Sequence, residues 1–137
     1  MKNLSKCGMK SKALLIALLF PLLVQAGEVT VAASLRNSGK GWYVIKDGEH
    51  EPLGVASVTN DSEVIRVNLN FKAKKIHTVV ISADEAYATE LALVCGASVS
   101  LTYIDIKCGH KNAKGLVNPN TLTIPGGNLW VHGVFTK

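Results

Sequence analysis

The sequence predicts an all-β fold, an antiparallel β-sandwich or small barrel of about seven to eight strands with one short helix. Apolar residues recur mostly at every second position, and Gly, Asn, Asp and Pro residues that favour turns separate the apolar runs. Stretches with a helical period are too few to supply the crossover helices of a parallel sheet. The 137 residues are enough for one domain.

Four β-strands are predicted in the first half of this domain, at residues 28–35, 42–46, 53–59 and 63–71. The dipeptide Asp47-Gly48 predicts a tight hairpin turn between the second and third strands, because both residues accept a positive φ. The fourth strand shows the clearest alternation of apolar and polar side chains. Its apolar face consists of Ile65, Val67, Leu69 and Phe71.

The second half predicts strands at 76–81, 93–95, 97–107 and 129–136, with shorter β-compatible pieces at 116–117 and 121–124. Ser82 and Glu85 have the spacing of a capping box, and the residues after them favour a helix, which predicts one short helix over 83–91. Within 97–107 the apolar side changes face, which indicates a bulge or a shift from edge to centre of a sheet.

The first 26 residues have the composition of a secretory signal peptide. Lysines are followed by an apolar run from Ala13 to Val24, and small residues at Val24 and Ala26 match the signal peptidase site. The run is too short to cross a membrane as a stable helix. We therefore expect cleavage of residues 1–26, from a start at Met1 or Met9, and a single domain over 27–137 without a membrane span. A retained N-terminal anchor is the alternative.

The positive charge of the chain lies almost entirely in this leader. The net charge is +5, from 15 basic and 10 acidic residues. Four of the basic residues and none of the acidic ones fall in the first 26 positions, so the rest carries 11 against 10 and a net charge of +1. A nearly neutral domain lacks the basic surface that nucleic acid requires, and we expect no nucleic-acid partner.

Removal of the leader leaves two cysteines, Cys95 and Cys108. Because exported domains mature in an oxidising compartment, we expect a disulfide between them, in a protein of the periplasm or the extracellular medium. Two free buried thiols are the alternative. A structural zinc site needs about four ligands and no CxxC pair is present, so no metal site is expected.

No motif in the sequence predicts catalysis or a cofactor. A phosphate-binding loop, the GxSxG nucleophile elbow and the HExxH zinc motif are absent. A small hydrolase that uses His50, or Asp84 with Glu85, is the enzymatic alternative. Solvation of a hairpin tip around His50 and capping of a helix by Asp84 and Glu85 are the simpler interpretations. The sequence therefore predicts a non-enzymatic protein without a cofactor.

Aromatic residues next to turns are the candidates for binding. Trp42 and Tyr43 follow a glycine-containing loop, and Trp130 and His132 alternate on one face of the last strand. An exposed indole stacks on a sugar or anchors a protein partner, so these four residues are the predicted binding residues. Packing of the tryptophans in the core is the alternative, since a small β domain needs large apolar residues there.

Four stretches resemble a small β-rich module of bacteriophage tail and tail-fibre proteins. They are GWYVIKDGEHEPLGVASV, EVIRVNLNFKAKKIHTVVISADEAYA, GASVSLTYIDI and VNPNTLTIPGGNLWVHGVF, which together cover nearly all of residues 27–137. The resemblance implies a non-enzymatic surface or receptor-binding domain and assigns no functional residue.

These observations favour an exported, non-enzymatic binding domain that recognises a protein or a cell-surface glycan. This interpretation requires that Trp42 and Trp130 are not both buried. A periplasmic inhibitor, an immunity-type protein or a structural subunit is the alternative, and it predicts a contiguous acidic or apolar patch on one sheet face.

Overall fold

The computed structural model describes residues 27–61, 63–84, 87, 93–110, 115–121 and 127–137. The strands among them are β1 Glu28–Asn37, β2 Trp42–Val44, β3 Val55–Asn60, β4 Ile65–Leu69, β5 Lys75–Ala83, β6 Leu93–Val99, β7 Tyr103–His110 and β8 Asn128–Thr136. A short 3-10 helix, Pro119–Thr121, lies between β7 and β8. No helix in this part of the chain is long and apolar enough to span a membrane. The predicted signal peptide lies outside the described residues.

Two four-stranded antiparallel sheets make up the domain. Sheet A has the strand order β2-β1-β8-β5, and sheet B has the order β3-β4-β7-β6. The prediction of an all-β sandwich is therefore confirmed. β1 and β8, the first and last strands, pair at the centre of sheet A. Sheet A is complete only when the two ends of the domain have met, so its pairing is strongly non-local.

The hydrophobic core lies between the two sheets and is built from every second residue of the central strands, because alternate side chains of a strand point to opposite faces. Burial of each large apolar side chain stabilises the fold by about 1.5–3 kcal/mol. Phe71 packs edge-on against Phe135, with ring centroids 5.8 Å apart. The fully buried core residues include Val31, Leu35, Leu129 and Phe135 from sheet A and Ile65, Val67, Ile104 and Ile106 from sheet B.

Cys95 and Cys108 form the predicted disulfide, and they are directly paired residues of β6 and β7. Their Cα atoms are 4.1 Å apart, and Cys108 is buried in the core. The backbone oxygen of Cys108 also accepts a hydrogen bond from Val117, so the predicted short piece at 116–117 contributes an isolated bridge beside β7. The disulfide therefore crosslinks one hairpin of sheet B.

The predicted hairpin around Asp47-Gly48 is wrong. β2 belongs to sheet A and β3 to sheet B, so the residues between them connect the two sheets. Gly48 does not have a positive φ. The Asp47 carboxylate instead accepts hydrogen bonds from the backbone N–H groups of Glu49 and His50, as in an Asx turn. His50 N also donates to Asp47 O at 3.1 Å, so residues 47–50 form a turn, but one that lies in a connection between the sheets.

The single predicted strand at 97–107 is also wrong, because this segment is a hairpin. β6 runs through Gly96 without a break and ends at Val99, and β7 begins at Tyr103. Ser100 N donates to Tyr103 O at 2.9 Å, which closes the turn. The change of buried face that the sequence shows is therefore the reversal of the chain and not a bulge within one strand.

The predicted helix over 83–91 and the piece at 121–124 lie largely outside the described residues. Ala83 is the last residue of β5, and Thr121 ends the 3-10 helix. Asp84 accepts hydrogen bonds at its carboxylate from Tyr87 N at 3.2 Å and from Asn128 N at 2.6 Å. The carboxylate therefore links the end of β5 to the start of β8.

Candidate functional site

The outer faces of the two sheets differ in chemistry. On sheet B, Arg66 donates two hydrogen bonds to Asp105, at 2.8 and 2.9 Å, and its guanidinium lies 3.9 Å from the centroid of the Tyr103 ring. These hydrogen bonds to Asp105 raise the pKa of Arg66 above its ordinary value. Asn68 donates to Ser57 at 3.1 Å. These polar groups thus satisfy one another, as on an ordinary solvated surface.

The outer face of sheet A carries an exposed tryptophan at its centre. The alternation of β8 places Trp130 and His132 on this face, and 39% of the Trp130 surface is exposed. Trp130 is paired with Ser34 on β1 and with Ser82 on β5. Because paired residues of antiparallel strands share a face, small side chains flank the indole on both sides and leave its ring accessible.

A cleft of about 300 Å³ lies beside this indole, and we call it the Trp130 cleft. One wall is the loop between β2 and β3, and the floor is the outer face of β1 and β8. The size falls at the lower end of the range of small-molecule sites. The cleft is lined by Ala32, Ala33, Ser34, Glu49, His50, Glu51, Trp130, Val131 and His132.

Hydrogen bonds hold this loop against the sheet at both of its ends. Ile45 N donates to Ser34 O at 2.9 Å where the loop leaves β2. Further along, Leu53 and Ala32 exchange two backbone hydrogen bonds, at 2.8 and 3.1 Å. The path of the loop along β1 is therefore fixed by backbone contacts, and the wall of the cleft is built into the fold.

Asp47 organises the tip of the same loop. Its Oδ1 accepts hydrogen bonds from the backbone of Glu49 at 3.0 Å and of His50 at 2.8 Å, and it lies 2.8 Å from His50 Nδ1. An ionised carboxylate only accepts, so Nδ1 of His50 is the donor, and Nε2 has no hydrogen-bond partner among the described residues. The side-chain hydrogen bond from His50 lowers the pKa of Asp47 below its ordinary value of 3.8.

The hydroxyl of Ser34 is the buried polar group of the cleft. Ser34 lies on the cleft-facing side of β1, opposite Trp130, and only 8% of the residue is exposed. Among the described residues, its Oγ has no hydrogen-bond partner. A buried hydroxyl without a partner costs about 1–3 kcal/mol, and a bound hydroxyl or amine would remove that cost. The hydroxyl of Ser34 is therefore a position in the cleft where a polar group could form a hydrogen bond.

The structure separates the four predicted binding residues. Trp130 and His132 line the Trp130 cleft, whereas Tyr43 lines another cleft of about 280 Å³ between the edges of β2 and β3. Trp42 borders that second cleft but is 3% exposed. Its indole nitrogen donates to Pro119 O at 2.9 Å, and its ring packs on Tyr87 with centroids 5.8 Å apart. Trp42 is therefore a core residue.

The residues of the enzymatic alternative are not brought together with one another. His50 is in the Trp130 cleft, while Asp84 is not among the residues that line it, and the carboxylate of Asp84 is bound to backbone N–H groups. Glu85 lies outside the described residues. Among the described residues, no group of three or more His, Cys, Asp or Glu side chains is placed to hold a metal ion.

Sequence reasoning missed Ser34, Glu49 and Glu51 as cleft residues. The signal for Ser34 is the pair of small residues Ala32 and Ser34 on one face of β1, because small side chains on an outer face make room for a neighbour. Glu49 and Glu51 could not be placed in the same way, since the wrong hairpin prediction put them at a solvated tip.

The chain was compared with known proteins in three ways. No protein-family model, no curated protein and no solved structure matches it.

Proposed function

We propose that this chain is an exported, non-enzymatic binding domain and that it recognises a glycan in the Trp130 cleft. The observation that carries the proposal is the exposed indole of Trp130 next to the buried hydroxyl of Ser34, which has no hydrogen-bond partner among the described residues. A sugar ring has an apolar C–H face and a rim of hydroxyl groups. An aromatic ring beside a few fixed polar groups is complementary to both.

The surroundings of Trp130 support this proposal. The pairing with Ser34 and Ser82 leaves the ring free, and the hydrogen-bonded loop forms a wall beside it. A site that is formed before the ligand arrives loses less entropy on binding. The resemblance to phage tail modules is part of the proposal, because it implies surface recognition without catalysis.

Glycan-array screening of residues 27–137, followed by titration of each hit, tests the proposal. Trp130→Ala is expected to weaken binding by more than about tenfold, or about 1.4 kcal/mol. Tyr43→Ala is the matched control, because Tyr43 is an exposed aromatic residue of the same sheet that lines a different cleft. The proposal is wrong if the array shows no binding, or if Trp130→Ala binds as tightly as the unaltered domain.

Export is the second part of the proposal. It is supported by the lysine-rich, apolar segment over residues 1–26 and by the disulfide between Cys95 and Cys108. Expression of the full chain in a Gram-negative host, with fractionation and N-terminal sequencing, checks it. We expect a periplasmic or secreted product that begins at Gly27. An uncleaved product in the membrane fraction would instead support the retained anchor.

A protein partner, as for an inhibitor, an immunity-type protein or a structural subunit, is the second candidate function. One row of paired residues crosses sheet A in the order Leu53, Ala32, His132 and Val80. Leu53 is 54% exposed and Val80 52%. Large apolar groups in such a row favour a flat protein interface. A partner isolated by affinity capture is then titrated against the domain and its variants. If this candidate is correct, Val80→Asp is expected to weaken the binding of the partner more than Trp130→Ala does.

A further inference from the structure

The wall of the Trp130 cleft is acidic. Glu49 and Glu51 line it, and the described residues of the lining include no Lys or Arg. Among the described residues, neither glutamate forms an ion pair. Two carboxylates on one wall, without an ion-pair partner among the described residues, create a negative potential in a cleft whose floor is the outer face of sheet A.

Arg36 is the basic residue closest to Ser34 along β1, and its side chain is bound outside the cleft lining. Arg36 lies two residues beyond Ser34 on β1, and its Nε donates to Asn128 Oδ1 at 2.9 Å. The charge of Asp47, in turn, is bound to His50 and to the backbone of the loop. Among the described residues that line the cleft, the carboxylates without an ion-pair partner are therefore those of Glu49 and Glu51.

An aromatic ring beside carboxylates is the arrangement that selects a cation. The face of an indole attracts an ammonium group through the quadrupole of the ring, by about 0.5–2 kcal/mol according to solvation. The carboxylates add charge-assisted hydrogen bonds from the N–H groups of the same ammonium. A neutral sugar would use the ring and the hydroxyl of Ser34 but would leave the acidic wall without a partner.

We propose, on the basis of the proposed glycan-binding function, that the ligand is a glycan with a free, protonated amino group, that is, an amino sugar without its N-acetyl group. The pyranose ring stacks on Trp130, and the ammonium group binds to Glu49 and Glu51. A ring hydroxyl or the ammonium group forms a hydrogen bond with the Oγ of Ser34. This assignment goes beyond glycan binding because it names the group that sets specificity.

Isothermal titration calorimetry with two oligosaccharides tests this assignment. The probes are the β-1,4-linked glucosamine tetramer and its fully N-acetylated counterpart, which has the same rings and linkage but no charge. The glucosamine tetramer is expected to bind about tenfold more tightly or better, with an affinity that falls as salt is added. The double variant Glu49→Gln, Glu51→Gln is expected to bind both probes alike, whereas Glu63→Gln, an exposed glutamate elsewhere, is expected to keep the preference.

The outcomes separate this inference from the proposed function. If the N-acetylated tetramer binds equally well or better, the amino-sugar assignment is wrong and glycan binding stands. If neither tetramer binds and the glycan array is also empty, both are wrong. If neither binds but neutral glycans do, only the assignment is wrong. A lysine tetrapeptide that binds as tightly as the glucosamine tetramer, with no loss at Trp130→Ala, also overturns the assignment, because the cleft then responds to charge alone.

Discussion

The indole nitrogen of Trp42 donates a hydrogen bond to the carbonyl oxygen of Pro119 at 2.9 Å, between residues that are 77 positions apart. The ring of Trp42 also packs on Tyr87. One side chain thus joins sheet A to the segment before β8 and to the segment after β5. The two tryptophans of the chain therefore have different roles, since Trp42 stabilises the fold and Trp130 is exposed at the cleft.

Trp42→Phe is expected to lower the free energy of unfolding by about 1–3 kcal/mol, because the buried carbonyl of Pro119 loses its donor and the smaller ring leaves space. Trp130→Phe is the matched control and is expected to change stability by no more than about 0.5 kcal/mol. Urea denaturation of both variants, followed by far-ultraviolet circular dichroism, provides the measurement. Equal losses in the two variants would contradict the different roles assigned to the tryptophans.

Gly133→Ala is expected to destabilise the domain by about 1–3 kcal/mol through overpacking. A Cβ atom at Gly133 would lie 2.7 Å from Cε2 of Phe135, whose ring is fully buried and has no room to move. Gly96→Ala on the edge strand β6 is the control, because a Cβ there meets no atom within 4 Å. Thermal denaturation compares the stability of the two variants. A smaller loss of stability in Gly133→Ala than in Gly96→Ala would show that the core accommodates the methyl group.

Reduction of the disulfide between Cys95 and Cys108 is expected to lower the free energy of unfolding by about 3 kcal/mol, because the two residues are 13 positions apart and the bond restricts the unfolded chain. Urea titrations with and without a reductant measure the change. The double variant Cys95→Ala, Cys108→Ala controls for other effects of the reductant. Its free energy of unfolding is expected to be the same with and without the reductant. An unchanged midpoint for the unaltered domain on reduction would overturn the prediction.

The pKa of Asp47 is expected to lie below 3.8, since the hydrogen bond from His50 favours its ionised form. When the pKa of a carboxyl group is lowered in the folded state, the group stabilises that state at pH values above its ordinary pKa. This stabilisation is lost as the pH falls through the lowered value, so the loop is expected to loosen only below about pH 3.8.

Titration of the Asp47 carboxyl carbon by NMR measures this pKa. His50→Gln is expected to return it toward 3.8, whereas His77→Gln is expected to leave it unchanged, because His77 lies on β5 and bonds to Thr136. An identical Asp47 titration in the unaltered domain and in His50→Gln would show that the imidazole does not contribute.

Alternation along the chain was sufficient to predict the fold class and the two faces of β8. Leu129 and Val131 are buried, and Trp130 and His132 are exposed, as the period of two requires. The cysteine pair was also predictable, because residues 27–137 contain only two cysteines. The faces of β8 follow from a local pattern, and two cysteines allow only one pairing.

Features that depend on distant partners could not be predicted. Whether Asp47-Gly48 turns a hairpin or leads to another sheet depends on the bridge between Leu53 and Ala32, which no local pattern encodes. The burial of Trp42 likewise depends on Pro119 and Tyr87, far away in the sequence. The cleft was missed for the same reason, since its wall and its floor come from separate parts of the chain.

If the proposed binding through sheet A is correct, the contrast between the two outer faces fixes the orientation of the bound molecule. When sheet A lies on a coated surface, sheet B is turned toward water, with the pair of Arg66 and Asp105 and the Tyr103 ring beneath Arg66 outermost. Because those groups are already satisfied by one another, they offer little to a second layer.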